Sequence, residues 1–482
     1  MFWRGVWGYL PANIVQGVVG FLAIMLFTRL LSSEDFGRYA IAFSLFSLIH
    51  VAVFTWVEAA MARFWAAEFR NGAALADHFA SLYRTAFALT AVFIPVVAVV
   101  LWLWPMDMAF KGALAAGLIG APFRCLMKLA QERYRAAGEV RRAATLDIGF
   151  SIGSLVIGVG FAFMGAGAAA PLLGLGLAPL IALPFILPGE LRFAHNGRID
   201  RGRLKAYALY GYPIAASLAL TLVLSSTDRL LLALFIDEAA VGAYHAAYSL
   251  ANRTLDVLFI WLGAAGGPAL VMALEQGGRD RLKEAAREQA STFILIALPA
   301  AVGVALVARP LAEFMIGAEL RAAAAQITPW IALSSLLAGC TTYYFHQAFT
   351  LGRRTELLLV VMLVPALANV LLNLALIPIF GVLGAAFATA ASFAIGLAAS
   401  VALGRRAMPL PVPWDTLVRC GVASLAMAMV VSRLPALGGV AELGLDASVG
   451  GLTYGAAALI LNAAGVRDVA QRLITARRSV TA

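Results

Sequence analysis

Long apolar segments recur along almost the whole chain, and this feature restricts its fold more than any other. A membrane-spanning helix needs about 20 predominantly apolar residues, and fourteen segments of this kind can be counted in the 482 residues. They lie at residues 9–31, 40–62, 85–104, 108–127, 143–164, 168–188, 207–235, 240–272, 290–308, 324–348, 357–378, 382–403, 416–433 and 447–465. Hydrophobic residues make up 62% of the sequence and charged residues 13%, against roughly 45–50% and 25% in ordinary globular proteins. The sequence therefore predicts an all-α polytopic membrane protein and leaves no residues for a soluble domain.

The basic residues are distributed unevenly between the two ends of these segments, which predicts the orientation. Lys and Arg accumulate on the cytoplasmic side of membrane proteins. If the spans alternate in direction, 27 of the 36 Lys and Arg residues fall on the side that carries both termini, 6 on the opposite side and 3 within spans. Both termini are thus predicted to be cytoplasmic. The net charge of +10 then marks orientation and gives no reason to expect nucleic acid as a partner.

The junction between the first two spans resembles a stretch about 205 residues later. TRLLSSEDFGRYAIAFSLF matches TDRLLLALFIDEAAVGAYHAAYSLA when Gly37 is placed on Gly242. A second match places the turn at Gly138 on the turn at Gly352. Because six spans, an even number, separate the copies, the two blocks share one orientation and predict parallel repeats. Chance similarity between Gly- and Ala-rich helix junctions is the alternative.

This repeat predicts the domain organisation. We expect an N-terminal six-helix bundle at residues 1–190, a cytoplasmic linker at 191–206 and a C-terminal six-helix bundle at 207–404. Residues 405–482 would add two further spans and a basic cytoplasmic tail. Two such bundles around one axis leave a central cavity, the arrangement that transporters use for alternating access.

Few ionisable side chains lie within the predicted spans, where each is costly unless it faces a cavity or a partner. They are Glu58, Asp147, Asp228, Arg229, Arg253, Asp256 and Arg419. Arg253 and Asp256, three residues apart, would either form an ion pair on one helix or face a cavity. The acidic members Glu58, Asp147, Asp228 and Asp256 are candidate ion-coupling residues.

Four arginines suggest a binding site for an anionic substrate. Arg29 and Arg63 lie at the ends of the first two spans, and Arg229 and Arg253 have similar places in the second block. A guanidinium group binds phosphate through two hydrogen bonds and stays charged when desolvated. Together these side chains would make a central cavity cationic and suited to a pyrophosphate. The alternative is that they anchor the spans at the membrane interface.

Motifs for catalysis, metal binding and nucleotide binding are absent from the sequence. There is no GxxxxGK[ST] loop for ATP, no His/Cys set with metal-ligand spacing and no outer loop long enough for an active site. The sequence therefore predicts no catalytic residue, no metal site and no cofactor. His50 and His245 are either proton sites or hydrogen-bonded packing residues.

Three stretches resemble the oligosaccharide flippase and polysaccharide transporter family of the multidrug/oligosaccharidyl-lipid/polysaccharide (MOP) superfamily. They read RLLSSEDFGRYAIAFSL, DRLLLALFIDEAAVGAYHAAYSLANR and NVLLNLALIPIFGVLGAAFATAAS. The resemblance covers most of residues 1–404. It implies twelve or fourteen helices in two bundles that form a V-shaped, MATE-like cavity. It also implies transport of polyprenyl-pyrophosphate-linked oligosaccharides, such as O-antigen and exopolysaccharide precursors, to the outer leaflet of the bacterial inner membrane.

Cationic cavity residues are important in that family. The resemblance matches them here to Arg29, Arg63, Arg229 and Arg253, with Arg124 and Lys128 as weaker matches. It implies as partners the lipid-linked oligosaccharide, membrane lipids and polysaccharide polymerase or assembly proteins. Two other functions stay open. A cation-coupled multidrug antiporter of the same superfamily would favour acidic cavity residues, and a membrane glycan polymerase or ligase would need a large outer loop.

Overall fold

The computed structural model describes residues 2–70, 72, 75–354 and 356–468, and this part of the chain is helical and contains no strand. Its helices are α1 (Phe2–Leu30), α2 (Ser33–Arg70), α3 (Leu75–Leu103), α4 (Met108–Ala136), α5 (Val140–Phe163), α6 (Ala170–Ala194), α7 (Arg201–Phe235), α8 (Glu238–Leu306), α9 (Ala308–Met315), α10 (Ala318–Cys340), α11 (Gln347–Leu351), α12 (Glu356–Phe380), α13 (Val382–Ala407), α14 (Trp414–Val431) and α15 (Gly439–Ile460). A π-helical turn, Thr341–Phe345, joins α10 to α11. The predicted tail beyond residue 468 lies outside the described residues.

Thirteen helical segments in the described ranges are long and apolar enough to cross a membrane. One of them, α8, has 69 residues and would be about 100 Å long at ~1.5 Å per residue, far more than one span of about 30 Å needs. Its helix is broken at Gly278, whose φ of 66° and ψ of −154° are not helical. The parts before and after Gly278 coincide with the predicted spans 240–272 and 290–308. The predicted fold class, an all-α polytopic membrane protein with about fourteen transmembrane helices, is confirmed.

Small residues allow the helices to approach closely. Gly120 of α4 lies against Gly176 of α6, and a Cβ atom on Gly120 would come within 2.5 Å of the Gly176 Cα. Gly174 of α6 similarly lies against the backbone of α5 at Ser154. Interfaces of this kind are favoured in lipid, where van der Waals packing replaces the hydrophobic effect between helices.

The contacts divide the chain into two compact units, Met1–Gly242 and Ala243–Ala482. In the first unit α2 packs against α4 and α7, and α6 packs against α4 and α5. The α7 contact is aromatic, since the ring of Trp56 stacks on that of Tyr212 with centroids 5.3 Å apart. In the second unit α13 packs against α10 and α12, and α14 packs against α15. Contacts therefore place α7 in the first unit, while the repeat-based boundaries at 190 and 207 remain a prediction.

Two acidic side chains outside the spans bind backbone amides at helix starts. Asp200 Oδ1 accepts hydrogen bonds from the N–H groups of Gly202 (2.8 Å) and Arg203 (3.2 Å) and thereby caps α7. Glu313 Oε2 accepts from the N–H of Gly439 (2.9 Å), at the first residue of α15. The bond from the Arg203 amide holds the pKa of Asp200 below its usual value, and the bond from the Gly439 amide lowers the pKa of Glu313.

Candidate functional site

A group of charged side chains lies between α2 and α4 in the first unit. His50 Nε2 is 2.9 Å from Glu58 Oε1, and Lys128 Nζ is 3.7 Å from Glu58 Oε2. The side chains of His50 and Glu58 are almost fully buried, whereas that of Lys128 is 35% exposed. Helix geometry explains the grouping: residues four apart on α4, and eight apart on α2, lie on one face. We call His50, Glu58, Arg124 and Lys128 the α2–α4 ionic cluster.

Arg124 is held in this cluster by aromatic rings. Its guanidinium carbon lies 5.6 Å from the ring centroid of Phe46 and 5.5 Å from that of Phe150, within the range of cation–π attraction. The buried Nε of Arg124 has no hydrogen-bond partner in the part of the chain that the structure describes. Two cationic side chains, Arg124 and Lys128, therefore lie near one carboxylate, Glu58. An excess positive charge in an apolar surrounding favours the binding of an anion.

The arginines predicted to form a cationic cavity have separate surroundings. Arg29 and Arg63 are exposed; Arg29 Nη1 donates to the Met25 carbonyl at 2.9 Å. Arg229 is 6% exposed and donates from Nη1 to the Ser225 carbonyl at 2.6 Å. Arg253 is exposed on α8 in the second unit. Substrate binding by these four residues remains a prediction.

The predicted ion-coupling carboxylates also differ in environment. Glu58 belongs to the α2–α4 ionic cluster, and Asp228 is 1% exposed on α7. Asp147 is paired with Arg135 Nη2 at 3.0 Å and accepts a hydrogen bond from Gln131. Asp256, by contrast, is exposed on α8. No described residue forms an ion pair with it within 4.0 Å, so the expected pair with Arg253 is not formed and the cavity-facing alternative fits.

A second buried ionic network, which sequence reasoning missed, joins four elements of the first unit. Arg133 of α4 forms ion pairs of 2.9 Å with Glu190 of α6 and with Glu139 at the start of α5. Tyr83 of α3 donates from its hydroxyl to Glu190 at 3.2 Å. Glu190 is 1% exposed and Arg133 7% exposed. In the sequence, the signal for this network is Glu190, an acidic residue at the end of an apolar segment. The basic residues, Arg133 among them, serve in the sequence prediction only to mark orientation, so this ion pair is not predicted.

The second unit contains a cavity of about 140 Å³. It is lined by Tyr248, Asn252, Asp256, Phe259, Ser334, Ser335, Ala338, Gly339, Thr342, Tyr343 and Phe393. We call it the α8–α10 cavity, after the two helices that supply most of its walls. The π-helical turn Thr341–Phe345 turns Thr342 and Tyr343 toward it, and π-helical turns are frequent at functional sites. The next residue of the turn points elsewhere, because Tyr344 donates to the carbonyl of Pro411 at 2.6 Å.

Other polar residues of the predicted spans have structural roles. Asn373 Nδ2 donates to Asn369 Oδ1 at 3.0 Å, and Asn369 Nδ2 lies 3.4 Å from the hydroxyl of Ser392 on the neighbouring helix. Arg419 Nη1 donates to the carbonyl of Leu461, at the end of α15, at 3.2 Å. Within the described ranges, no group of three or more His, Cys, Asp or Glu side chains is arranged to hold a metal ion.

Comparison with known proteins identifies relatives of the chain. A family described as polysaccharide biosynthesis protein matches residues 26–325. The probable flippase AglR of Haloferax volcanii is 26% identical over 260 residues, which is 52% of this chain and 52% of that protein. The chain thus spans about half the length of the curated relative that it matches.

Solved structures share the fold. The lipid II flippase MurJ in an inward closed conformation superposes with a TM-score of 0.75 at 14% identity, over 96% of this chain and 99% of that one. An inward-facing multidrug resistance MATE transporter of the MOP superfamily superposes with a TM-score of 0.66 at 14% identity, over 81% of this chain and 94% of that one. These relatives are flippases and transporters, not enzymes. Since the family match extends over more than half of the sequence, the chain belongs to the polysaccharide biosynthesis protein family.

Proposed function

We propose that the protein moves a polyprenyl-pyrophosphate-linked oligosaccharide from the inner to the outer leaflet of the membrane by alternating access. The observation that carries this proposal is the excess positive charge of the α2–α4 ionic cluster, where Arg124 and Lys128 face the single carboxylate of Glu58. Family membership and the similarity to a probable flippase support it.

A pyrophosphate group supplies the charge that this cluster lacks. Guanidinium and ammonium groups both bind phosphate oxygens through charge-assisted hydrogen bonds. Lys128 is the most accessible member of the cluster, with a third of its side chain exposed, so an entering phosphate would compete with Glu58 for it. The rings of Phe46 and Phe150 hold Arg124 without neutralising it.

The position of the cluster along α4 agrees with loading from the inner leaflet. Lys128 precedes the end of α4 at Ala136 by about 12 Å, at ~1.5 Å per residue. In the proposed orientation, with both termini cytoplasmic, this end of α4 faces the cytoplasm. The lipid head would therefore meet Lys128 soon after it leaves the inner leaflet, while the polyprenyl tail stays in lipid.

The proposed drive is the membrane potential or an ion gradient, because the sequence carries no ATP-binding motif. Moving one charge across 100 mV corresponds to about 2.3 kcal/mol, so an inside-negative potential assists an anionic head that moves outward. We place the protein in the bacterial inner membrane. Its proposed partners are the lipid-linked oligosaccharide, membrane lipids and polysaccharide polymerase or assembly proteins, and Arg29, Arg63, Arg229 and Arg253 are proposed to contact the same substrate.

Reconstituted vesicles test the proposal. The full chain and its Arg124→Ala and Lys128→Ala variants are placed in liposomes that contain a fluorescent undecaprenyl-pyrophosphate-linked sugar, and transfer between leaflets is measured by access of an added quencher. We expect each variant to lose at least tenfold in initial rate. Arg141→Ala is the matched control, since Arg141 is an exposed arginine at the start of α5. Transfer at the wild-type rate in Arg124→Ala would contradict the proposal.

One observation favours a second function, cation-coupled multidrug export. Asp256 lies in a cavity with aromatic walls and has no cationic partner within 4.0 Å among the described residues, and the fold is shared with MATE transporters. If this function were correct, everted vesicles would accumulate a cationic dye against a proton or sodium gradient, and Asp256→Asn would abolish the uptake. For a lipid-linked oligosaccharide flippase we expect no such uptake.

A further inference from the structure

Part of the wall of the α8–α10 cavity is formed by two aromatic rings, each of which packs against a glycine. Gly263 of α8 lies directly against the ring of Tyr343, and Gly339 of α10 lies against the ring of Phe259, where an added Cβ would come within 2.8 Å of the ring. Any larger residue at either position would displace its ring. The aromatic faces of the cavity therefore depend on these two positions.

Polar groups occupy the remaining walls. Tyr248, Asn252 and Asp256 follow each other at intervals of four residues and so lie on one face of α8. Across from them, the hydroxyl of Ser335 on α10 donates to the side-chain oxygen of Asn252. In the described structure the amide nitrogen of Asn252 and both carboxylate oxygens of Asp256 bond to no protein group.

The size and chemistry of the cavity define its ligand. Its volume of about 140 Å³ is close to the roughly 150 Å³ of a protein cavity that holds one benzene molecule, which limits a ligand to about one ring. No Lys or Arg side chain lines it, which makes it unsuited to phosphate. A pyranose has apolar C–H faces that pack on aromatic rings, and its ring edge carries hydroxyl groups that donate to a carboxylate and accept from an amide.

We propose that the α8–α10 cavity binds one pyranose ring of the transported oligosaccharide. The inference rests on the proposed function for the identity of the substrate, but it concerns a different site from the α2–α4 ionic cluster. Asp256 accepts from two neighbouring sugar hydroxyls, Asn252 donates to a hydroxyl or ring oxygen, and the rings of Phe259 and Tyr343 cover the apolar face. A quaternary ammonium ligand would use the rings and the carboxylate but would leave the amide of Asn252 without a partner.

Free sugars test the cavity directly. Methyl glycosides of glucose, galactose, mannose, N-acetylglucosamine and rhamnose are added in turn to the purified full chain in detergent, and binding is followed by saturation-transfer NMR. We expect at least one glycoside to bind, and its signal to fall at least fivefold in Asn252→Ala and in Asp256→Asn. Asp280→Asn, which changes an exposed acidic residue of α8 beyond the break at Gly278, should leave the signal unchanged.

Lipid probes separate this inference from the proposed function. Dissociation constants are measured for undecaprenyl pyrophosphate and for the same lipid carrying the sugar that binds best. Asn252→Ala should weaken binding of the glycosylated lipid about tenfold and leave binding of the bare lipid unchanged, whereas Arg124→Ala should weaken both. If neither lipid binds but the glycoside signal still depends on Asn252, the proposed function fails and the sugar site stands.

Three outcomes would overturn the sugar site. In the first, no glycoside binds the wild-type chain. In the second, the glycoside signal survives in both Asn252→Ala and Asp256→Asn. In the third, tetraphenylphosphonium binds saturably in an Asp256-dependent way while the two lipids keep the same ratio of dissociation constants in every variant, which would assign the cavity to organic cations.

Discussion

The α2–α4 ionic cluster and the α8–α10 cavity have different chemistry, although the predicted repeat places them on corresponding helices. When Gly37 is aligned with Gly242, Glu58 corresponds to Gly263, the residue that makes room for the ring of Tyr343. When Gly138 is aligned with Gly352, Lys128 corresponds to Thr342 in the cavity wall.

By the same alignment Arg124 corresponds to Ala338, a further residue of the cavity wall. One scaffold thus carries buried charge in the first unit, and neutral polar and aromatic side chains in the second. In our proposal this division suits a substrate with a charged pyrophosphate and an uncharged sugar.

The largest loss of stability should come from breaking a buried ion pair of the first unit that lies outside the proposed binding site. Glu190→Gln removes one of the two carboxylate partners of Arg133, at a position that is 1% exposed. Loss of one partner of a buried ion pair costs about 3–5 kcal/mol of stability. We expect a large fall in the thermal unfolding temperature in detergent.

Glu132→Gln is the control for that variant. Among the described residues Glu132 pairs with Arg135, and the side chains of Arg135 and Glu132 are 41% and 19% exposed. A pair that is partly open to solvent contributes about 1 kcal/mol or less. Equal destabilisation by the two substitutions would show that burial does not separate the structural network from surface pairs.

The next prediction concerns a close contact between a glycine and an aromatic ring in the second unit. Gly263→Ala places a methyl group against the ring of Tyr343, and overpacking of this kind costs about 1–3 kcal/mol. Gly267→Ala, one turn further along α8, has open space around the new methyl group and should be neutral or stabilising because alanine favours the helix. Thermal unfolding of the two variants in the same detergent compares them, and equal behaviour would refute the proposed role of Gly263.

Exchanging corresponding residues tests the difference in charge. Lys128→Thr gives the first repeat the residue of the second and removes one of two cations beside Glu58. We expect leaflet transfer to fall at least tenfold, which corresponds to about 1.4 kcal/mol, with little change in unfolding temperature. Lys128→Arg should retain most of the rate because it keeps the charge. An unchanged rate in Lys128→Thr would show that transfer does not need the charge of Lys128, which would contradict the proposed difference between the two blocks.

The smallest effect should be on the pH dependence of stability, which Asp200 tests in the first unit and Glu313 in the second. The lowered pKa values of Asp200 and Glu313 mean that each carboxylate stabilises the fold above its unfolded pKa, about 4 for these side chains. The contribution is lost as the pH falls through the lower folded value.

We therefore expect unfolding temperature to decline modestly below about pH 4. Asp200→Asn, which keeps the cap of α7 but cannot titrate, should decline less, and Glu313→Gln should behave likewise for the second unit. A steeper decline in either variant than in the wild type would contradict the assignment.

The positions of the membrane-spanning helices could be predicted from the sequence. Apolar segments of about 20 residues reproduced every span to within a few residues at most ends, because hydropathy alone decides whether a segment leaves water. The short helix α9 (Ala308–Met315) and the π-helical turn at Thr341–Phe345 were not predicted. Both depend on local backbone geometry that leaves no hydropathy signal.

Which side chains lie next to one another was harder to predict from the sequence. Glu58 was recognised as an unusual charge and Arg124 and Lys128 as weaker matches to cationic residues, but nothing in the sequence placed the three together. In a helix that is apolar on most sides, periodicity does not reveal which face meets a neighbour. Only packing of α2 against α4 brings Lys128 to 3.7 Å from Glu58.

By itself, the sequence determined the membrane-spanning fold, since this follows from hydropathy. Charge asymmetry and repeated glycine-containing turns give the orientation and the two related blocks as predictions. The tertiary structure alone decided which charges within the spans are neutralised by partners and which line a cavity. Glu190 and Asp147 are neutralised by arginines of neighbouring helices, whereas Asp256 lines a cavity. The physical reason is that the cost of a charge in lipid depends on what lies within a few ångströms of it, and that distance is set by helix packing.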